Sequence, residues 1–214
     1  MLTSDARAIK DRFAVELMLF DPGPRYNIAP TQQISTIIFD GKRTLDGFRW
    51  GLVPRWAKDV SVGSKLINAR AETLTERPAF RPALQRRRCL IPADGFYEWL
   101  KKSDNPGPRR FELPEKGTFA FAGLWESWFD PSGENLRSCT IITTAANDSV
   151  RGVHDRMPAI LRPADESYWL DPDSNVADLS ELLLPNPSLV LTATPVTTRL
   201  NYAGYDGPEL LESA

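Results

Sequence analysis

Prolines occur throughout this sequence and constrain its fold more than any other residue type. The 214-residue chain contains 18 prolines, spread from Pro22 to Pro208. Proline breaks helix interiors but is tolerated at strand edges and at the starts of loops. A helical bundle is therefore excluded, and short strands joined by turns are expected.

Runs of β-branched and aromatic residues between these breaks predict the strands. The strongest run lies within residues 138–144 and reads Thr140-Ile141-Ile142-Thr143-Thr144. Further strands are predicted at residues 33–39, 48–52, 89–92, 96–100, 110–113, 118–124 and 189–196, and the segment 67–74 leads into a short helix. Turn residues predict turns at 40–41, 104–108 and 130–133.

Helical patterns are few. The first is amphipathic and covers residues 5–19, with Ser4 as its N-cap and an apolar face formed by Ile9, Phe13 and Leu17. Two short helices are predicted at residues 165–170 and 176–184. Because no low-complexity linker or repeat divides the chain, we predict a single domain over residues 1–214. Its class is α+β, with a β-rich, barrel-like central sheet and peripheral helices.

Composition limits the class of protein. Hydrophobic residues make up 42% of the chain, enough for a proper core. No run of about 18 apolar residues is present, which predicts no membrane partner. The first residues do not follow a basic stretch with an apolar one, so we expect a cytoplasmic protein, associated with the nucleoid if bacterial. Cys89 and Cys139 lack metal-ligand spacing, so we expect no metal, and no cofactor is expected. The two cysteines either form a disulfide or, as we predict for a chain without an export signal, are reduced buried thiols.

Positive charge is concentrated in one part of the sequence. Residues 25–88 contain 13 Lys and Arg against 5 Asp and Glu, although the whole chain has a net charge of −2. Such asymmetry is expected when one face meets a polyanion and the rest keeps the protein soluble. A basic but merely solvated face explains the charge alone equally well.

The only histidine of the chain, His154, lies in the motif Val153-His154-Asp155-Arg156-Met157-Pro158. It follows the strongest predicted strand, so we place it on a loop or short helix beyond that strand's end. Loops at strand ends commonly carry chemistry, and histidine titrates between pH 5 and 8 without any perturbation. The alternative is a histidine with a purely structural role.

Glu98 lies within the predicted strand Phe96-Tyr97-Glu98-Trp99-Leu100. Strand alternation places it on the same face as Phe96 and Leu100. An acid on an apolar face is desolvated and suited to proton transfer near neutral pH. The alternative is an edge strand with a solvated glutamate.

Five motifs in order carry a family resemblance: Arg25-Tyr26-Asn27-Ile28-Ala29-Pro30, Trp50-Gly51-Leu52-Val53-Pro54-Arg55-Trp56, Ile67-Asn68-Ala69-Arg70-Ala71-Glu72, Ala93-Asp94-Gly95-Phe96-Tyr97-Glu98-Trp99 and His154-Asp155-Arg156-Met157-Pro158. Together they closely resemble the SRAP family, the SOS-response-associated peptidase-like or abasic-site processing proteins. The resemblance extends from about Arg25 to Leu210.

The resemblance implies a protein, here expected to be a monomer, that binds single-stranded DNA and captures an abasic site covalently. In the family, removal of the first methionine exposes a cysteine whose α-amine and thiol close on the sugar aldehyde as a thiazolidine. An α-amine suits imine formation because its pKa is about 7.7 to 8.0, against about 10.4 for lysine.

Site residues follow from the matching motif positions. Asn68 is expected to orient the N-terminal group or the sugar, Glu98 to shuttle protons, and His154 to protonate or hydrogen-bond the sugar oxygen. Candidates for phosphate contacts and base stacking are Asn27, Trp56, Arg70 and Arg156. The run Arg86-Arg87-Arg88 fits a solvated flank as well as a DNA contact.

The first residues depart from the family pattern. Family members begin Met-Cys-Gly-Arg-Phe, whereas this chain begins Met1-Leu2-Thr3-Ser4-Asp5. As written it is not expected to form the thiazolidine, and an imine at the Met1 amine is expected to be trapped only weakly by borohydride. Either an upstream segment with the cysteine belongs to the protein, which we favour, or the chain is a single-strand binding variant without cross-linking. A peptide hydrolase, as the family name suggests, is a third hypothesis, although neither a serine nor a cysteine is obviously paired with His154.

Overall fold

The computed structural model describes residues 1–100 and 106–212. Its four α-helices are α1 (Ala6–Phe13), α2 (Arg81–Arg86), α3 (Glu166–Leu170) and α4 (Val176–Leu182). Its strands are β1 (Leu17–Met18), β2 (Gln33–Phe39), β3 (Arg43–Trp50), β4 (Asn68–Arg70), β5 (Arg88–Ala93), β6 (Phe96–Leu100), β7 (Gly107–Glu112), β8 (Phe119–Phe129), β9 (Asn135–Ala145), β10 (Arg156–Pro158), β11 (Ile160–Leu161) and β12 (Thr192–Pro195).

Five strands close a barrel, as the sequence predicts. The order is β3-β2-β5-β8-β9, and β3 pairs again with β9 in parallel, Trp50 opposite Cys139. The β2–β3 hairpin turns at Asp40-Gly41, where Gly41 has a φ of 89° that glycine adopts without a steric penalty. The short strands β4 and β10 flank β9, and both belong to motifs named above.

Both faces of the barrel strands are buried, which explains their near-continuous apolar runs. One face packs against the helices and includes Ile37, Leu90 and Ile142. Their neighbours Ile38, Ile91 and Ile141 belong to a second cluster that contains no helical residue and fills the other side of the sheet. Because successive side chains of a strand point to opposite faces of the sheet, each strand contributes to both hydrophobic clusters.

A second, three-stranded sheet covers part of the barrel. Its order is β12-β7-β6, which makes β6 an edge strand. Phe96 at the start of β6 stacks on Phe111 of β7 and contacts Phe121 of β8 edge-on, which joins the small sheet to the barrel. This junction brings the Glu98 strand over the barrel.

The first predicted helix is shorter than expected. Asp5 and not Ser4 is its N-cap, since the Asp5 carboxylate accepts the Ala8 N–H. The helix ends at Phe13 because Ala14 takes a left-handed conformation with φ 50°. Leu17, predicted on the helix, instead lies in β1 and pairs with β3. The other predicted strands and both short helices are present with shifted ends, and the predicted turn at 104–108 lies partly outside the described residues.

Of the three consecutive arginines, Arg86 fits the solvated flank, whereas Arg87 and Arg88 have partners inside the protein. Arg86 is exposed, but Arg87 pairs with the buried Glu126 at 2.8 Å. Arg88 is 3% exposed and donates to backbone carbonyls of Leu84, Gln85, Trp169 and Asp171. It therefore satisfies carbonyls at the ends of α2 and α3.

Both cysteines are buried and unpaired, as predicted. Burial raises the pKa of the Cys139 thiol to about 12 and that of Cys89 well above its usual range. These thiols are therefore inert at neutral pH. Across the described residues, none of the helices has the length and apolarity to cross a bilayer.

Candidate active site

A cavity of about 750 Å³ lies between the barrel and the small sheet. Its apolar floor is formed by barrel side chains, among them Ile34, Ile91, Phe121 and Ile141. Six of the seven residues that the sequence analysis named as site residues line it: Asn27, Asn68, Arg70, Glu98, His154 and Arg156. An apolar cavity with a few convergent polar groups is the usual form of a ligand site.

Asn68 and Arg70 reach the cavity because β4 runs parallel to β9. Asn68 lies opposite Ile141 and Arg70 opposite Thr143. The two residues are two positions apart and share one face of the strand, while Ala69 between them is fully buried. The Ile67-Asn68-Ala69-Arg70 motif thus presents one amide and one cation to the same space.

His154 lies in the loop between β9 and β10, where the sequence placed it. The Arg156 N–H donates to its Nδ1 at 3.0 Å, and the Asp155 carboxylate lies 3.3 Å from the same atom. The Arg156 carbonyl oxygen also lies 3.2 Å from Nδ1, so the tautomer decides which backbone group bonds to the ring. In the tautomer that accepts the Arg156 N–H, the neutral ring carries its proton on Nε2. The imidazole is 35% exposed and can present Nε2–H as a donor to a ligand.

Arg156 is held by a partner that sequence reasoning did not assign. Its guanidinium makes a bidentate pair with Glu72, at 2.6 and 3.0 Å, and donates to the Thr143 carbonyl. The hydrogen bond from Arg156 lowers the pKa of Glu72, which keeps that carboxylate charged. Glu72 therefore orients Arg156 and offsets part of its charge.

Glu98 is half-buried on the edge strand β6 and lines the cavity together with Phe96. Its backbone pairs with Arg109 of β7. The alternation argument is confirmed for Phe96, which is 7% exposed, whereas Leu100 is only half-buried. Glu98 thus combines features of both interpretations, because the strand is an edge and its acid nevertheless faces the cavity.

Asn27 and Trp56 differ from the other predicted site residues. The Asn27 amide nitrogen donates to the carbonyls of Leu200, Tyr202 and Tyr205, so it anchors the C-terminal segment that forms one cavity wall. Trp56 is 63% exposed and lies outside the cavity. The basic stretch is also dispersed: among the described residues, Arg70 and Arg156 are the arginines that line this cavity.

The N-terminus lies on the cavity wall. The Met1 α-amine donates to the Gly95 carbonyl at 3.0 Å, and the Met1 carbonyl accepts the Asp94 N–H. Desolvation lowers the pKa of this amine from 8.0 to about 6, although the carboxylates of Asp94 and Asp206 oppose the shift. Most of the amine is therefore neutral at pH 7, as a nucleophile must be.

Tyr97 closes this corner of the cavity. Its hydroxyl donates to the Tyr26 carbonyl at 2.9 Å and lies 3.4 Å from the Met1 sulfur. Burial raises the pKa of the Tyr97 phenol to about 12, so it remains protonated. The N-terminal residue is thereby enclosed by the motif that also carries Glu98.

Comparison with protein families adds a decisive observation. The model of the family described as SOS response associated peptidase (SRAP) matches residues 1–203. The chain belongs to the SRAP family. The resemblance inferred from the five motifs is confirmed over almost the whole chain.

Named relatives of this SRAP protein share one description. The abasic site processing protein YoqW of Bacillus subtilis (strain 168) is 48% identical over 193 residues, which cover 89% of this chain and 86% of YoqW. The abasic site processing protein YoaM of the same organism is 46% identical over 211 residues, with coverages of 96% and 92%. The abasic site processing protein HMCES of Xenopus tropicalis is 30% identical over 221 residues, 88% of this chain and 65% of that protein.

Solved structures agree with the SRAP fold. A protein from Bacteroides thetaiotaomicron superposes with a TM-score of 0.87 at 25% identity and covers 100% of this chain and 97% of its own. A protein from Bordetella bronchiseptica has a TM-score of 0.76 at 28% identity, with coverages of 90% and 95%. The predicted α+β class with a barrel-like sheet is therefore confirmed.

Sequence reasoning missed three features of the site. Glu72 and Asp94 lie inside the quoted motifs, but spacing alone did not show that they bind Arg156 and the N-terminal segment. The enclosure of the Met1 amine was also not foreseen, because it depends on contacts 94 residues apart.

Proposed function

We propose that this SRAP protein processes abasic sites in single-stranded DNA, with the opened sugar bound in the 750 Å³ cavity. The observation that carries the proposal is the convergence of an amide, an acid, a histidine and two arginines on one cavity, namely Asn68, Glu98, His154, Arg70 and Arg156. An abasic sugar offers an aldehyde to an amine and phosphates to the arginines. The names of the relatives point to the same class of substrate.

The cavity residues divide the chemistry as follows. Arg70 and Arg156 bind the phosphates on either side of the abasic site, and Asn68 orients the sugar. His154 donates from Nε2 to the sugar ring oxygen as the bond between that oxygen and C1′ breaks, and the C1′ hydroxyl loses its proton to water, which yields the aldehyde. These roles follow the sequence analysis and use the geometry of the observed side chains.

The covalent step joins an amine to C1′. The neutral amine attacks the aldehyde carbon, and Glu98 carries one proton from nitrogen to the oxygen to give the carbinolamine. Glu98 then carries the second nitrogen proton to the same oxygen as the C–O bond breaks, so that the oxygen leaves as water. The product is an imine. In a form with an N-terminal cysteine, the thiol then adds across the imine and closes a thiazolidine without any further reactant.

In the 214-residue polypeptide, the α-amine of Met1 is available for this step. The sequence predicted only weak trapping there, but the amine lies on the cavity wall with a pKa lowered by desolvation to about 6. We therefore infer that borohydride reduces a Met1 imine to a stable secondary amine in good yield. A chain without a thiol next to that amine leaves the imine reversible unless it is reduced.

The test of binding is fluorescence anisotropy with labelled oligonucleotides. A single strand with one tetrahydrofuran abasic analogue is compared with the same strand without the analogue and with a duplex. We expect the tightest binding for the abasic single strand, weakening as salt rises. Absence of any single-strand affinity at low salt would overturn the proposal.

A binding module without covalent chemistry is the second function. The observation that favours it is the pair of cavity arginines, Arg70 and Arg156, which can bind DNA phosphates without any nucleophile. It predicts normal anisotropy together with no adduct even under borohydride. A denaturing gel of the protein with abasic single-stranded DNA and borohydride therefore distinguishes the two functions.

A further inference from the structure

The carboxylate of Asp94 is the centre of a hydrogen-bond cluster that the mechanism above does not use. Asp94 is 8% exposed and accepts the Thr3 N–H at 2.6 Å, the Ser4 N–H at 2.9 Å and the hydroxyls of Thr3, Ser4 and Thr118. Two backbone and three side-chain donors thus converge on one acid. Such saturation of a buried carboxylate keeps it charged.

The charge state of Asp94 agrees with this geometry. Burial alone acts to raise the pKa of the Asp94 carboxyl, but the hydrogen bonds from Thr3, Thr118 and Ser4 outweigh burial and lower it. The acid therefore remains an acceptor across the neutral pH range. Its donors are all on the N-terminal segment or on the start of β8, so the cluster connects elements far apart in sequence.

The backbone next to this carboxylate holds the N-terminus directly. The Asp94 N–H donates to the Met1 carbonyl at 3.2 Å, and the neighbouring Gly95 carbonyl accepts the Met1 amine at 3.0 Å. Gly95 cannot be replaced here, because a Cβ would lie 2.6 Å from the Phe111 carbonyl oxygen. The same turn leads into β6 and Glu98, so the amine and the acid are positioned by one short segment.

We propose that Asp94 is a positioning residue that clamps residues 1–4 and thereby fixes this segment against the cavity wall, beside the strand that carries Glu98. The clamp acts on the segment rather than on the substrate. Its role in the reaction rests on the proposed function, whereas its effect on the N-terminus can be measured without DNA.

The direct test is the pKa of the Met1 α-amine, measured by competitive labelling with acetic anhydride across pH. Charged or titratable groups around the amine are Asp94, Asp206, Arg25 and Tyr97. If Asp94→Asn only removed a nearby charge, the amine pKa would fall further. If the clamp opens, the amine reaches solvent and its pKa rises from about 6 toward 8.0.

Protonation of the amine and loss of its positioning can also be distinguished in the borohydride-trapping reaction. At pH 6.5, a rise in amine pKa from about 6 to about 8 reduces the neutral fraction, and hence borohydride trapping on abasic single-stranded DNA, about 25-fold. At pH 9 the protonation loss nearly disappears, and any remaining defect reports lost positioning. Anisotropy with the abasic analogue should stay near the wild-type value, because Asp94 does not line the cavity.

Asp130→Asn is the matched control. Asp130 likewise accepts several local hydrogen bonds, from Ser132 and Glu134, but lies in the β8–β9 turn away from the cavity. It should leave the amine pKa and trapping unchanged. Should Asp94→Asn fail to fold, the double variant Ser4→Ala with Thr118→Val removes two of the three hydroxyl contacts to Asp94 and should shift the amine pKa in the same direction.

The outcomes distinguish the two proposals. An amine pKa that stays near 6 or falls in Asp94→Asn overturns the clamp, whatever the wild type does with DNA. A raised amine pKa combined with no trapping by the wild type supports the clamp and overturns the proposed covalent function.

Discussion

The backbone of Arg156 holds the His154 ring in place. Its N–H and its carbonyl oxygen lie 3.0 and 3.2 Å from Nδ1, and the tautomer that accepts the N–H presents Nε2–H as a donor. The Asp155 side chain beside it is 90% exposed, so that contact contributes little. The role of His154 as a donor therefore depends on the turn between β9 and β10.

Loss of either predicted proton-transfer residue should slow the covalent step and spare binding. We expect His154→Gln and Glu98→Gln each to reduce imine trapping at least about 100-fold, because positioned acid–base groups contribute rates of that order. The measurement is single-turnover trapping with abasic single-stranded DNA. Equal rates in wild type and both variants would contradict the assigned roles.

Arg70 should strengthen the binding of single-stranded DNA through its positive charge. Arg70→Ala is expected to weaken single-strand binding and to reduce the slope of log K against log salt by about 0.7, the value for one phosphate contact. Arg86→Ala, at an exposed arginine outside the cavity, is the control and should leave the slope unchanged. A salt titration by anisotropy measures both.

The sequence named residues that share one cavity, but it did not name their hydrogen-bond partners. Asn68, Arg70, Glu98, His154 and Arg156 all line that cavity, and their roles in DNA processing stay predictions. Asn27 was assigned to DNA, but its amide nitrogen is occupied by three backbone carbonyls. Spacing shows which residues recur together and does not show which hydrogen bonds each one has already made.

Among the elements, strands were predictable because their burial leaves continuous apolar runs. Ends were less so. The apolar stripe continues past Phe13, yet the left-handed Ala14 stops α1 and turns Leu17 into a strand. Pairing with β3 decided that segment, and tertiary contacts override a local helical pattern of this length.

Arg88 shows how a polar residue can stabilise elements from inside. Arg88→Met keeps the bulk of the side chain but leaves carbonyls at the ends of α2 and α3 without a donor. We expect the free energy of unfolding to fall by about 3 kcal/mol. One hydrogen bond from a charged donor contributes up to about that much, and the substitution leaves several carbonyls without a donor.

Urea unfolding measures this change. The adjacent Arg86→Ala is exposed and should alter the free energy of unfolding by less than about 0.5 kcal/mol. A similarly small change in both variants would show that the Arg88 contacts make no net contribution to the free energy of unfolding.

At the scale of the molecule, the site depends on closure of the barrel and on the small sheet above it. The parallel β3–β9 and β4–β9 pairs join segments about 70 to 90 residues apart and place the Asn68 strand beside the His154 loop. Motif order along the chain carries no information about such pairing. The sequence therefore predicted a barrel-like sheet, but not which strands close it.

Stability should depend on pH through the enclosed amine. Because its pKa is about 6 when folded and 8.0 otherwise, the unfolded chain binds more protons between these values. Stability should therefore fall as pH drops from 8 to 6. Comparing the melting temperature of the free-amine and Nα-acetylated proteins isolates this effect, since the acetylated form lacks it; parallel pH curves would contradict the buried amine.

The most direct test of the abasic-site function is a denaturing gel with single-stranded DNA bearing one abasic site. Three proteins are compared, each with and without borohydride: the 214-residue chain, a form with Met-Cys-Gly-Arg-Phe-Thr ahead of Leu2 in place of Met1, and the same form with serine for that cysteine. We expect a shifted band without borohydride from the cysteine form alone and bands from all three with it. No band from any protein under either condition would contradict the covalent account of this cavity.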